Sequence, residues 1–188
     1  MASEIIVNTI KAPTTGANAN KVIIPSGVTL DASGGGLTTP AGHIIQVVGG
    51  GVFSDHTNSS TSTWADTNMS DSITPISSSN KILVSFTAII RADFTGTIAR
   101  GAVRIKRTID GTDTTLLNPD TFYEHFQMRG VSTEFSMTPS FEFLDSPATT
   151  SQVTYTVQSY IRNDSGATTI FTRGSSRGSC MTLKEVTA

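Results

Sequence analysis

The sequence is poor in the residues on which several functional classes depend. Its 188 residues include one cysteine, Cys180, which excludes an intrachain disulfide framework; we expect Cys180 to be a small packed residue of the last strand. Charged residues make up 15% of the chain and the net charge is −2, so the basic excess that nucleic-acid binding needs is missing. We therefore expect no nucleic-acid partner.

Long apolar runs are missing too. None approaches the roughly 20 residues of a membrane-spanning helix, and residues 5–7 are too short for the apolar core of a signal peptide. Runs rich in Ala, Glu, Lys and Leu, which form long helices, do not occur. Ser and Thr instead make up about 28% of the chain, and they are the polar partners of the strand residues. This composition predicts an all-β protein without membrane insertion, soluble in the cytoplasm where it is made.

No set of side chains in the sequence has the spacing of a catalytic or metal site. The histidines His43, His56 and His125 lack metal-ligand spacing, the Gly-rich runs match no phosphate-binding loop, and no G-x-S-x-G motif occurs. Glu142 and Asp145 are a possible carboxylate pair, but a solvated strand residue and a turn cap explain them better. We therefore expect no enzyme, no cofactor and no metal, although pattern alone does not exclude a site assembled between subunits.

The most regular alternation of apolar and polar residues lies in residues 135–162. Phe135, Met137, Phe141 and Phe143 alternate with Ser, Thr and Glu, and a second run from Val153 to Ile161 alternates with Thr and Gln. Side chains of a strand point to opposite faces in turn, so each run has one apolar face. The break at residues 145–151 has turn chemistry. We predict two neighbouring antiparallel strands of one sheet.

Other strands and turns follow the same patterns. Residues 81–90 are the clearest core strand, with Ile82, Val84, Phe86, Ala88 and Ile90 on one face; Leu83 and Ile89 indicate that the opposite face is partly covered. Asp110-Gly111 predicts a hairpin turn, residues 163–166 predict another turn, and residues 54–72 read as a polar loop. Seven or eight short strands favour an antiparallel β-sandwich, jelly-roll-like, over residues 43–188.

Residues 1–42 differ in composition from the rest of the chain. They contain short apolar clusters between Gly, Pro and Asn, and no aromatic residue, so they cannot bury a core of their own. A disordered tail is one interpretation. We favour an extended N-terminal arm whose short strands pair with other copies or dock on another protein.

A basic cluster is predicted on one strand of the sandwich. Arg104 and Lys106 share the face opposite Val103 and Ile105. A solvated outer face is the simpler interpretation, and a site for an acidic partner is the alternative.

Three runs of the sequence resemble one family. They are residues 143–155, which contain the sequence FLDSPATT, the polar turn and strand of residues 77–84, and the closing residues 181–186. Together they are similar to the C-terminal domain of tail-fibre-like virion proteins of tailed bacteriophages, in pattern over residues 40–188. The resemblance implies a structural protein of the virion, made in the host cytoplasm, usually a homotrimer, with the arm attached to other virion proteins. A tail fibre is favoured; a head fibre or capsid decoration protein is the alternative.

A function of another class remains open, that of a carbohydrate-binding module for host-surface recognition. Such a module needs exposed aromatic rings flanked by polar groups, and Trp64, Tyr123 and Tyr160 are the candidates. Trp64 alone is also explained as an anchor packed under its loop.

Overall fold

The computed structural model describes residues 14–16, 26, 40–60, 62–116, 126–129 and 133–188. The chain divides into two units, Met1–Thr38 and Thr39–Ala188, and every strand given below belongs to the second. The predicted arm, residues 1–42, lies almost wholly outside the described residues, so it stays a prediction.

The described part of the second unit is built from strands, with one 3-10 helix at Ser175–Arg177. The strands are β1 Ile44–Gly49, β2 His56–Asn58, β3 Trp64–Ile73, β4 Lys81–Thr87, β5 Ile90–Ile109, β6 Thr112–Leu116, β7 Phe126–Arg129, β8 Thr133–Met137, β9 Ser140–Asp145, β10 Val153–Thr172 and β11 Cys180–Val186.

These strands form two antiparallel sheets. The four-stranded sheet has the order β1-β11-β4-β9, and in the seven-stranded sheet β10 pairs with β2, β3 and β5, while β5 also pairs with β6, β7 and β8. The first strand therefore pairs with the last, and successive strands move between the sheets in the order of a jelly roll. Val84 and Leu183 of one sheet and Ile105 and Val157 of the other belong to a single core cluster, so the predicted β-sandwich is confirmed.

Strand β4 has the alternation that the sequence predicts. Ile82, Val84 and Phe86 are buried, and Phe86 stacks on Phe141 of β9 with ring centroids 5.3 Å apart. The strand ends at Thr87, where the backbone N–H of Ala88 donates instead to the carbonyl of Pro139. The predicted strand of residues 81–90 is thus divided between the two sheets. Residues 81–87 form β4 of the four-stranded sheet, and Ile90 begins β5 of the seven-stranded sheet.

Two long strands, β5 and β10, form the centre of the seven-stranded sheet and pair with each other from Ile90–Thr172 to Ile109–Val153. The predicted hairpin turn at Asp110-Gly111 is confirmed, with φ angles of 48° and 76°, as a type I′ turn requires. The turn predicted at residues 163–166 is wrong. Strand β10 continues through these residues, and its pairing with β5 shifts in register there. Such shifts are typical of β-bulges.

For residues 135–162 the sequence predicts correctly which side chains face the core, but it predicts the wrong strand pairing. Phe135 and Met137 pack against the core from β8, and Phe141 and Phe143 do so from β9. However, β9 pairs with β4 in the four-stranded sheet, whereas β10 lies in the seven-stranded sheet. A period of two residues identifies the buried face of a strand, but it carries no information about the neighbouring strand.

Asp145 is a further correction, because it is buried rather than a solvated turn cap. Its exposed fraction is 8%. Its carboxylate accepts hydrogen bonds from Arg107 Nη1 at 2.9 and 3.0 Å and from the Tyr155 hydroxyl at 2.7 Å. Since Asp145 ends β9 and the other two residues lie on β5 and β10, this ion pair joins the two sheets. Glu142 is exposed as predicted and accepts a hydrogen bond from Ser85.

Two other expectations are wrong. Cys180 begins β11 but is exposed, because it lies on the outer face opposite buried Met181. The polar loop predicted at residues 54–72 contains β2 and most of β3. Strand β3 buries Thr67, Met69 and Ile73 along one face, and the threonine hydroxyl donates to the carbonyl of Val157 at 2.7 Å.

Candidate functional site

Two of the three aromatic residues singled out in the sequence lie side by side. Trp64 begins β3 and faces Tyr160 of β10 in the strand register. Their ring centroids are 5.1 Å apart with an angle of 40° between the ring planes. Tyr123 lies outside the described residues. The two rings lie on the outer face of the seven-stranded sheet, where Trp64 is half-buried and Tyr160 is buried, with an exposed fraction of 8%. We call this pair the aromatic surface.

The outer face is fixed by alternation along the strands. Val153, Tyr155 and Val157 of β10 point into the core, so Thr154, Thr156, Gln158 and Tyr160 point outward. The hydroxyl of Ser70 lies 2.9 Å from that of Thr156, and the hydroxyl of Ser72 lies 2.8 Å from that of Thr154. The aromatic surface therefore continues into a row of paired hydroxyl groups.

Arg104 covers the tryptophan ring. Its guanidinium carbon is 4.2 Å from the ring centroid of Trp64, within the range of a cation–π contact. Its Nε donates to Gln158 Oε1 at 2.7 Å, and Gln158 Nε2 donates to Asp66 Oδ1 at 2.5 Å. The charged and amide groups beside the rings are thus held in one orientation.

The network of polar groups extends across four strands. Lys106 Nζ is 2.6 Å from Asp66 Oδ2 and 3.3 Å from Asp113 Oδ2, and the Thr108 hydroxyl donates to Asp113 at 2.6 Å. The hydrogen bond to Asp66 raises the pKa of Lys106, and the hydrogen bond from Thr108 lowers the pKa of Asp113. Both groups therefore stay charged at neutral pH.

The shared face predicted for the basic cluster is confirmed, but the face is not freely solvated, since the Lys106 side chain is 16% exposed and pairs with Asp66 and Asp113. Val103 and Ile105 are buried, and Arg104 and Lys106 are on the opposite face. Their neighbours Asp66 and Gln158 were missed, because no motif connects residues so distant in the chain. The one available signal was the alternation on β3 and β10, which places both side chains outward.

The arrangement is suited to binding rather than to covalent chemistry. The accessible part of the Trp64 ring offers an apolar contact to the C–H face of a sugar, and the flanking carboxylate and guanidinium groups can hydrogen-bond hydroxyl groups. Trp64 is half-buried and Arg104 covers one face of its ring, so the ring is anchored and accessible only in part.

The histidines do not form a second site where the structure describes them. His43 is exposed, with Nδ1 3.0 Å from the carbonyl of Pro40. Burial lowers the pKa of His56. His125 lies outside the described residues. Within the described ranges, no three His, Cys, Asp or Glu side chains are grouped as metal ligands, and no helix has the length and apolarity of a membrane span.

Comparison with other proteins does not assign the chain to a family. No protein-family model and no curated protein matches it. The resemblance of the three sequence runs and the geometry of the described residues therefore carry any conclusion about function.

Proposed function

We propose that the chain is a non-enzymatic structural protein of a bacteriophage virion, of the fibre type. In this proposal the N-terminal arm docks on the particle and the β-sandwich projects outward. A tail fibre is favoured, and a head fibre or capsid decoration protein is the alternative. The proposal rests on the resemblance of three sequence runs, and one observation about their place in the fold supports it.

That observation is the adjacency of the three runs. Three of their strands, β9, β4 and β11, are neighbours in the four-stranded sheet, while residues 153–155 of the first run begin β10 in the seven-stranded sheet. Val84 of β4 pairs with Phe143 on one side and with Leu183 on the other. Residues far apart in the sequence thus combine into one sheet, as expected when a resemblance reflects a shared architecture rather than three chance matches.

Contacts between the runs are specific as well as adjacent. Glu185 of β11 is buried, and its Oε1 accepts hydrogen bonds from Asn80 Nδ2 and from the backbone N–H of Ile76, both at 2.7 Å. The polar turn before β4 is therefore tied to the closing strand.

Exposed apolar residues on the four-stranded sheet support a homotrimer. Val47 of β1 and Leu144 of β9 are 61% and 49% exposed, and they lie in one row across the sheet with Lys184 and half-buried Leu83. Ile44 is 53% exposed near the same end of β1. Exposed apolar residues on one face are typical of protein–protein contacts, so we place the subunit contacts on this face, with Lys184 between the apolar side chains of the row.

Light scattering tests the subunit proposal. The full-length chain should have a mass about three times 19.8 kDa, independent of concentration in the micromolar range. Leu144→Lys places a charge in the proposed contact and should reduce the mass, whereas Thr112→Lys, at an exposed position of β6 in the other sheet, is the charged control. A monomeric full-length chain would contradict the trimer and would move the decoration protein ahead of the fibre.

A second candidate function is favoured by the aromatic surface. We infer that Trp64 contacts a host-surface glycan, with buried Tyr160 packed against its ring and with Asp66 and Arg104 as hydrogen-bonding groups, which Gln158 holds in place. The inference rests on the observed pairing of the two rings beside a fixed polar network. This function is compatible with the structural one, because fibres carry recognition sites outward.

A glycan array tests this candidate. Wild-type protein should bind a subset of bacterial glycans, Trp64→Ala should lose that binding, and Leu144→Ala on the other sheet should keep it. Retained binding by Trp64→Ala would contradict the role of the aromatic surface. The structural proposal would be unaffected by that result.

A further inference from the structure

An arginine-lined cleft lies away from the aromatic surface. It has a volume of about 330 Å³, at the lower end of the range for small-ligand pockets. Its lining side chains come from Ile89, Arg91, Glu134, Ser136, Arg173 and Arg177. Arg91 precedes Arg104 by 13 positions on β5, and none of the lining residues belongs to the aromatic surface or to its polar network. The two sites are therefore distinct.

Charge is distributed unevenly within the cleft. At one end Arg91 contacts two carboxylates, that of Asp93 at 2.8 Å and that of Glu134 at 2.9 Å. At the other end Arg173 and Arg177 share the carboxylate of Asp55, at 3.0 and 3.8 Å. The first end carries one positive charge for two negative charges, and the second carries two positive charges for one.

Each end of the cleft has one largely exposed charged side chain, Glu134 at the first end and Arg177 at the second. Asp55 accepts hydrogen bonds from Arg173 Nη1 at 3.0 Å and from the backbone N–H of Gly174 at 2.7 Å, so both of its oxygens already have a donor. The side chain of Arg177 is 61% exposed, and its Nε lies beyond hydrogen-bonding distance of Asp55. A guanidinium has five N–H donors in a planar fork that matches carboxylate and phosphate oxygens.

We propose that this cleft binds an oxyanion, the carboxylate or phosphate group of a small or sugar-based ligand, with Arg177 as the main contact. Arg173, held by Asp55 beside it, supplies the second positive charge. The carboxylates at the Arg91 end can accept hydrogen bonds from hydroxyl groups of the same ligand. This inference requires neither the aromatic surface nor a place in a virion.

The test is an NMR titration of the full-length chain in a buffer of low ionic strength, following the arginine Nε–H signals. The probes are inorganic phosphate, D-glucuronate and, as the uncharged counterpart, D-glucose. Phosphate or glucuronate should shift the signals saturably, glucose should bind more weakly than glucuronate, and added NaCl should weaken binding of both anions. Tighter binding of glucuronate indicates an acidic sugar, and tighter binding of phosphate indicates a phosphate group.

Two variants should change the affinity in opposite directions. Arg177→Gln should weaken binding of the preferred anion about tenfold, as expected for loss of one charge-assisted hydrogen bond. Asp55→Asn should strengthen binding, because it removes the competing charge while its side-chain oxygen can still accept from Gly174. Lys81→Gln is the matched control, since Lys81 is an exposed cation on β4, outside the cleft.

Three results would overturn the proposal. The first is the absence of a saturable shift with either anion. The second is an equal loss of affinity in Arg177→Gln and Lys81→Gln, which would indicate a general effect of net charge. The third is weaker binding by folded Asp55→Asn, which would mean that Asp55 does not compete with the ligand.

Discussion

Replacing Asp145 by alanine should destabilise the sandwich severely, because Asp145 joins the two sheets. The change leaves Arg107, whose side chain is 17% exposed, without its carboxylate. Removing one partner of a buried ion pair costs about 3–5 kcal/mol, and the partial exposure of Arg107 favours the lower value. The Tyr155 hydroxyl also loses its acceptor, which adds about 1 kcal/mol.

The free energy of unfolding should therefore fall by about 4 kcal/mol. With a urea dependence of about 2 kcal/mol per molar, the midpoint of urea unfolding falls by about 2 M. Asp145→Asn removes the charge but keeps an acceptor for the tyrosine, so its midpoint should lie between those of wild type and Asp145→Ala.

The control is Glu142→Ala, three residues earlier on the same strand. Glu142 is exposed and accepts a hydrogen bond from Ser85, so the change should cost less than about 0.5 kcal/mol. Unfolding is followed by tryptophan fluorescence and by circular dichroism. Equal shifts of the midpoint for Asp145→Ala and Glu142→Ala would refute the structural role of the ion pair.

Three further predictions concern the core, the pH dependence and the arm. Phe86→Ala should cost about 3–5 kcal/mol because it empties a buried site, whereas Thr87→Ala should cost less than about 0.5 kcal/mol; equal losses in urea unfolding would mean that the faces of β4 are misassigned. Burial and the Asp145 carboxylate raise the pKa of Tyr155, so the unfolded chain ionises first and stability should fall above about pH 10. This alkaline loss should be smaller in Tyr155→Phe, and an identical pH profile of the two proteins would contradict it. A chain starting at Gly42 should fold as a β-rich protein by circular dichroism but fail to enter particles; its aggregation would place the domain boundary elsewhere.

Sequence alternation predicts the faces of the strands better than their partners. The apolar residues of β4 and the Asp110-Gly111 turn are local signals, because pleating and turn geometry depend on neighbouring residues. Whether β9 pairs with β10 or with β4 depends on contacts between distant parts of the chain. That information is missing from a period of two residues.

Strand β3 escaped prediction because its buried face is chemically mixed. It includes Thr67, whose hydroxyl is satisfied by a backbone carbonyl, beside Met69 and Ile73.

The aromatic surface was predicted only in part. Trp64 and Tyr160 were recognisable by residue type, whereas Asp66 acquires its role only through the pairing of β3 with β10.

The measurement that tests the central proposal most directly is electron microscopy of purified virions from cells that produce this chain, combined with mass spectrometry of the same particles. The proposal predicts peptides of the chain in the particles and density that fits the jelly-roll unit projecting from the surface, in groups of three. Density at the tail would support the tail fibre, and density on the head would support the head-fibre or decoration alternative. Absence of the chain from purified particles would contradict a virion structural function.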